Sequence, residues 1–346
     1  MLQCYASLCL LPLLLVQLGL TRSTREVQKV IIDTDFAMPP QDDALALMLA
    51  LNSPELEIVG ISTVAGNRSR QQADADLLRF LEIASREELP VYSGADMPLV
   101  HEVSEYAVRS YGEWYLKDPP EMPPGGFATK SVESQSAADF LIQTSRRSPQ
   151  QVSIIALGPL TNLAMAIRQD RDFAGRVKKL YIMGGAIASL LDGGGNLTPN
   201  AEFNFWVDPE AASIVLRSSI PIELSPLNVS RKTGFKKEHL EAIGRVDTPL
   251  TRLLGETMEG IFSGSPDRKL LMYDQVAVAS AIDPTLVKKV ELFVDVDTTS
   301  GINYGVSVGS RQLWPGAEGA RKMWVQHDLD WDRFITLFIE RATVKF

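Results

Sequence analysis

Cysteine is almost missing from this chain of 346 residues: Cys4 and Cys9 are the only two. Both lie in the N-terminal segment, so a chain processed beyond it contains none. That excludes a disulfide framework, a cysteine-ligated metal and a cysteine nucleophile from the processed protein. Histidine is nearly as scarce, at His101, His239 and His327. Lys and Arg never run beyond two in a row, and the net charge is −9. Phosphate backbones call for a basic face, so no nucleic acid is expected as a partner. Long apolar runs are lacking as well. Residues 2–20 carry no charge, but the apolar stretch 8–16 is broken by Pro12 and is too short to span a bilayer, which takes about 20 residues. It suits the apolar core of a signal peptide, although no Lys or Arg precedes it and no small-x-small cleavage site follows. We expect a signal peptide over 1–22 and a secreted or periplasmic protein, cytoplasmic if the segment is not a signal. No stable membrane span is expected.

With 45% hydrophobic residues, the rest of the chain can bury a sizeable core. Short apolar runs alternate with longer helical patterns beyond residue 27. Strands are expected over 29–34, 57–63, 152–157, 179–183 and 220–224. Helices are expected over 43–51, 70–83, 136–145, 162–168, 209–217 and 274–282. Such alternation predicts an α/β fold, a single domain over 27–346 with a mostly parallel central sheet flanked by helices. No linker divides it and no internal repeat is visible.

The densest chemistry lies at residues 33 to 43, where Asp33, Asp35, Asp42 and Asp43 stand close together. The β-branched run Val30-Ile31-Ile32 precedes them, and the helical pattern Ala44, Leu47, Met48, Leu51 follows. The acids therefore occupy the turn from a strand to a helix, the edge where open α/β sheets bind ligands. Asp42 and Asp43 could simply charge-complement the helix N-terminus. Two acidic pairs flanking Pro39-Pro40 favour a metal or catalytic site, because packed carboxylates repel one another until a cation joins them.

Other strand ends add to this. Gly158-Pro159-Leu160-Thr161-Asn162 reads as a turn with helix-capping residues. Gly184-Gly185 marks a place where backbone approaches something closely. Asn196, Glu202 and Asn204 offer donors and acceptors to a polyhydroxylated ligand, with Glu202 and Asn204 expected on one face of an extended segment. The Pro-rich segment 119–124 and the Gly-rich segment 193–195 read as surface loops near a site. Asp274, ahead of Val276-Ala277-Val278-Ala279, is by itself an ordinary helix N-cap.

Taken in order, these blocks resemble the inosine-uridine-type nucleoside hydrolase family over roughly residues 29–340. The marks are Asp33-Thr-Asp35, Asp42-Asp43-Ala, Thr63-Val-Ala-Gly-Asn67, Leu157-Gly-Pro-Leu-Thr-Asn162, Met183-Gly-Gly185, Asn196 to Asn204 with Trp206-Val-Asp-Pro-Glu-Ala, and Asp274. The resemblance implies a single α/β domain that binds Ca²⁺ and cleaves the N-glycosidic bond of ribonucleosides with water. It implies Asp35, Asp43, Asp274 and the Leu157 carbonyl as metal ligands, with Asp35 as the base. Asp42, Asn67, Asn196, Glu202 and Asn204 match ribose-binding positions, Met183 a residue packed near the sugar, and Asp33 a supporting acid behind the ligands. The partner would be a small ribonucleoside or related riboside. A homo-oligomer, dimer or tetramer, is expected.

Two departures stand out. The spacer between the acidic pairs, Phe36 to Gln41, is longer than the family's, so a bulged loop stiffened by Pro39-Pro40 is expected. Tyr273 and Tyr111 occupy positions where relatives that protonate the leaving base carry histidine. They are the candidate base pocket. A non-catalytic secreted nucleoside- or sugar-binding protein would keep the ribose contacts and lose those acids. A haloacid-dehalogenase-type phosphatase also opens with a strand and Asp-x-Asp, but has no need of Asp42-Asp43.

Overall fold

Asp33 near the end of β1 (Gln28–Thr34) and Leu157 just past the end of its neighbour β4 (Val152–Ala156) lie side by side, and this juxtaposition organises the molecule. A computed structural model describes residues 27–100, 119–265 and 267–345. The expected signal peptide and Tyr111 lie outside the described residues. With β2 (Leu56–Thr63), β3 (Val91–Tyr92), β5 (Leu180–Met183), β6 (Ile222–Ser225), β7 (Val287–Val296), β8 (Ser307–Ser310) and β9 (Arg321–Leu329), β1 and β4 form one sheet ordered β3-β2-β1-β4-β5-β6-β9-β7-β8. Neighbours from β3 to β9 run parallel, while β7 is antiparallel to both β9 and β8.

Both faces of the parallel part are covered, which is why its strands are apolar throughout. Val30, Ile32 and Ile155 point into one core with α1 (Asp42–Leu51), α2 (Arg70–Ile83), α11 (Asp274–Ile282) and α12 (Trp331–Ala342). Ile31, Ile154 and Ile182 point into the other, with α3 (Ala137–Arg147), α4 (Thr161–Gln169) and α7 (Pro209–Leu216). Each such side chain, buried, contributes on the order of 1.5–3 kcal/mol. The helix α1 is buried on every side, from Asp43 to Leu51, against α11 and α12. Among the described residues the remaining helices are α5 (Phe173–Arg176), α6 (Phe203–Val207), α8 (Leu227–Ser230), α9 (Lys237–Gly244) and α10 (Pro249–Ser263).

Every strand and helix expected from the sequence is present, within a few residues at each end. The antiparallel extension β7–β9 was not expected. Its strands bury one face and carry Lys288, Glu291 and Lys322 outward, so no continuous apolar run announces them. The expected bulge at 36–41 is not a solvent loop. Phe36, Ala37 and Met38 are buried, and the Phe36 ring meets Phe80 edge-on at 5.3 Å. The Pro39-Pro40 bond is cis. The segment 119–124 is bound to α2 through Glu121 and Gln72, and none of its residues reaches the cavity described below.

Candidate active site

The chain leaves β1 toward β2 and β3 on one side, then returns to build β4, β5 and β6 on the other. The strand order thus reverses between β1 and β4, and a crevice opens beyond their carboxyl ends. Asp33 and Thr34 end β1, Asp35 and Leu157 follow β1 and β4, and α1 and α11 bring their first residues to the same place. A cavity of about 290 Å³ lies there, lined by Asp42, Asn67, Leu157, Met183, Asn196, Glu202, Asn204, Tyr273 and Asp274 among others.

Asp42, Asp43 and Asp274 offer carboxylate oxygens within 4.8 Å of one another. Neither helix uses these acids as an N-cap: Gln41 and Tyr273 hold those positions and make no side-chain cap bond. Asp43 instead accepts from Thr34 Oγ1 at 2.5 Å and from Asn67 Nδ2 at 2.8 Å. Asp35 lies close enough to Asp43 for the two carboxylates to repel each other. The Oδ2 of Asp35 accepts from the Asn67 main-chain N at 2.6 Å, and its Oδ1 is buried with no hydrogen-bond partner. Two glycines make room for this carboxylate. A Cβ on Gly66 would sit 2.1 Å from Asp35 Oδ2, and one on Gly158 would sit 2.8 Å from Oδ1.

Behind it, Asp33 Oδ1 accepts from Ser62 Oγ at 2.5 Å and Asn162 Nδ2 at 2.8 Å, while Oδ2 is buried without a partner. Asn162 therefore does not cap its helix, as the sequence suggested. Its amide reaches back to Asp33 and to the Thr63 carbonyl at 2.9 Å, because α4 starts beside β2 rather than in open solvent.

Electrostatics follow from this crowding. Burial, then Asp43 and Asp42, push Asp35 well above the usual carboxylate range. Burial and the neighbouring acids do the same to Asp274. Asp42 is pushed up to about 7 by burial, Asp43 and Glu202, and burial lifts Asp33 to about 6 against its two hydrogen bonds. Burial also raises Asp43. An all-oxygen donor set with mutually repelling carboxyls and an unmatched buried oxygen fits a hard divalent cation.

The far wall is the connection from β5 to α6. Gly184-Gly185 makes the expected close approach: a Cβ on Gly184 would lie 2.5 Å from the Phe205 ring, and Gly185 has φ +78°. Glu202 and Asn204 do not lie on an extended segment. Glu202 is the N-cap of α6 and accepts from the main-chain N of Asn204, Phe205 and Gly185 at 2.9, 3.1 and 2.9 Å. The orphan N–H groups of a helix start claim the carboxylate. Asn204 donates from Nδ2 to the Leu157 carbonyl at 2.8 Å and to Met183 O at 3.3 Å. Asn196 is exposed at the rim, its Oδ1 accepting from Phe203 N at 2.9 Å. Tyr273 lines the cavity, and burial and Asp42 raise its pKa further, so its hydroxyl is a weaker acid than an ordinary phenol.

Sequence reasoning missed Gln41, Leu197 and Phe203 in the lining, and Thr34, Ser62 and Asn162 as holders of the acids. Ser62 pairs with Asp33 across β2 and β1, a register that no local spacing reveals.

A parallel α/β sheet with an acid cluster at its switch point defines a ligand-binding α/β protein. The chain matches the inosine-uridine preferring nucleoside hydrolase model over residues 30–336. It is 34% identical over 317 residues to the pyrimidine-specific ribonucleoside hydrolase RihA of Salmonella paratyphi B, covering 90% of this chain and 97% of that protein. A solved plant nucleoside hydrolase, PpNRh1, superposes with a TM-score of 0.78 at 30% identity, covering 92% of this chain and 100% of its own. A purine-preferring ribonucleoside hydrolase from Gardnerella vaginalis gives 0.77 at 27% identity, covering 91% and 98%. The chain belongs to the inosine-uridine preferring nucleoside hydrolase family. It is an enzyme, a hydrolase of N-glycosyl compounds, and the phosphatase alternative falls with that. No helix among the described residues is long and apolar enough to cross a membrane.

Proposed function

We propose that the chain hydrolyses ribonucleosides to free base and ribose with Ca²⁺ held by Asp35, Asp43, Asp274 and the Leu157 carbonyl, and with Asp35 as the base. The observation that carries this reading is the buried, unmatched Oδ1 of Asp35 beside the acid trio. Ca²⁺, when bound, supplies charge that neutralises the acids and lowers the pKa of water. Asp35 takes the proton from the attacking water as its oxygen bonds to the anomeric carbon. The carbon–nitrogen bond breaks, and its electron pair leaves on the base, which then picks up a proton. Positive charge on the sugar ring in the transition state is stabilised by the surrounding carboxylates.

Asp42, Asn67, Asn196, Glu202 and Asn204 bind the ribose, and Met183 packs against it. Glu202, engaged by three main-chain N–H groups, is left to accept from a hydroxyl rather than donate to one. Tyr273 is a poor proton donor for the departing base, so turnover relies on stabilising the sugar cation. Relatives named for pyrimidines and for purines both occur, so a panel of both nucleoside classes is assayed for reducing sugar before and after chelation. Calcium-dependent release of ribose is expected. Ribose release that chelation leaves unchanged would overturn the Ca²⁺ reading.

The apolar segment at 8–16 supports export, checked by N-terminal sequencing of protein recovered outside the cytoplasm. A dimer or tetramer is the proposed assembly, checked by sedimentation.

A further inference from the structure

Asp42 and Asp274 are the first residues of α1 and α11, two helices that pack side by side. The span between their carboxylates depends on how the two helix starts are fixed to each other. A buried side chain ties them, beside the contact of the Asp42 carboxylate with the Asp274 main chain. Gln275, 1% exposed, donates from Nε2 to the main-chain oxygen of Asp42 at 3.1 Å. Its own Oε1 is buried and has no hydrogen-bond partner.

A buried carbonyl without a donor weakens the fold, and one neutral hydrogen bond offsets little of that. An apolar side chain of the same length would fill the space without the burden. Packing alone therefore does not account for an amide at this position. What the amide does, and an apolar chain cannot, is hold the start of α11 to the start of α1.

We infer that Gln275 is a positioning residue for the acid trio, setting the span between Asp274 and the Asp42-Asp43 pair. The inference rests on the proposed metal site, to which α1 contributes Asp43 and α11 contributes Asp274. It concerns residues that sit behind ligands, where loss of a support typically weakens metal binding about 10–100-fold.

The test is Gln275→Met, which keeps the length and removes the amide. Calorimetry gives the Ca²⁺ affinity of the wild type and the variant, and thermal melting in chelator gives their metal-free stability. The expected result is an affinity at least about tenfold weaker, with a melting midpoint in chelator that is unchanged or higher. A lowered midpoint with unchanged affinity would mean a packing role only and overturns the inference. If the Met variant does not fold, Gln275→Asn, whose amide is withdrawn by one methylene, is judged by the same two results. A wild type that takes up no Ca²⁺ overturns the metal reading itself, whereas equal uptake by wild type and variant overturns this inference alone.

Discussion

Asp35 is the residue on which the site turns, and its surroundings predict what its loss does. Asp35→Asn removes the proposed base and should lower kcat about 10²–10⁴-fold, the range for positioned general bases. Because Asp43 and Asp42 repel this buried carboxylate, the metal-free variant should melt no lower than wild type. Steady-state kinetics and melting in chelator check both parts, and a variant retaining a tenth of wild-type kcat would remove Asp35 from the base role. Gly66→Ala is the complementary test. Its Cβ meets the carboxylate from the side, at 2.1 Å from Oδ2 in the present geometry, so the acid must swing away. Activity should fall comparably although no catalytic group is deleted. The acids themselves were legible as a cluster in the sequence, since strand, turn and helix are consecutive there. Their holders were not: Ser62 and Asn162 come from β2 and α4 and meet Asp33 only after the strands pair.

Among elements, the connection between β5 and α6 matters most, because it carries Asn196, Leu197 and Glu202 to the cavity. It is held from α8. Asn228 accepts from Ile187 N at 2.9 Å and donates to Leu191 O at 2.8 Å. Just beyond α8, Arg231 donates to the carbonyls of Asp192 and Gly195, and Lys232 pairs with Asp192 at 2.7 Å. Arg231→Ala should free this wall and raise KM for ribonucleosides about tenfold, equivalent to roughly 1.4 kcal/mol, while kcat changes little. Arg231→Lys should restore only part of the loss, since an ammonium lacks the planar fork that reaches two carbonyls. A fall in kcat with KM unchanged would place Arg231 in the chemistry rather than behind the wall.

Across the whole molecule, two sets of buried carboxyls respond to pH in opposite directions. Asp33 and Asp42 rise from 3.8 to about 6 and about 7, so the folded chain keeps protons that the unfolded chain has lost. Their share of metal-free stability is greatest below about pH 4 and declines as pH rises to about 7. Melting in chelator should show that decline, and Ca²⁺ at neutral pH should reverse it. Glu223 behaves the other way. Fully buried on β6, between β5 and β9, it accepts from Lys179 Nζ and Lys289 Nζ, each at 2.7 Å, and from Gln326 at 2.9 Å. Despite burial, these partners hold it below its usual value of 4.5, so its contribution is present above that pH and is lost as pH falls through the lowered value. Glu223→Ala leaves two lysines facing each other and should cost about 3–5 kcal/mol in urea unfolding, as for a broken buried pair. A cost under 1 kcal/mol would mean that solvent screens the lysines.

The chain order by itself determined the parallel α/β layering, since apolar runs and helical periodicities are local and each carries its own signature. It also determined that acids crowd the end of β1, because Asp33 to Asp43 need only one turn to meet. Tertiary structure alone decided what those acids touch. Asp274 joins Asp42 and Asp43 from more than two hundred residues away, through the packing of α11 on α1. Glu202 caps its own helix through Asn204 and Phe205, and only the fold brings a third donor, the Gly185 main-chain N, to the same carboxylate. The antiparallel strands β7 to β9 emerged only where half-buried polar sequences found a partner edge. Local pattern reports which face a residue takes. The neighbours across that face are chosen by chain crossings that no local pattern contains.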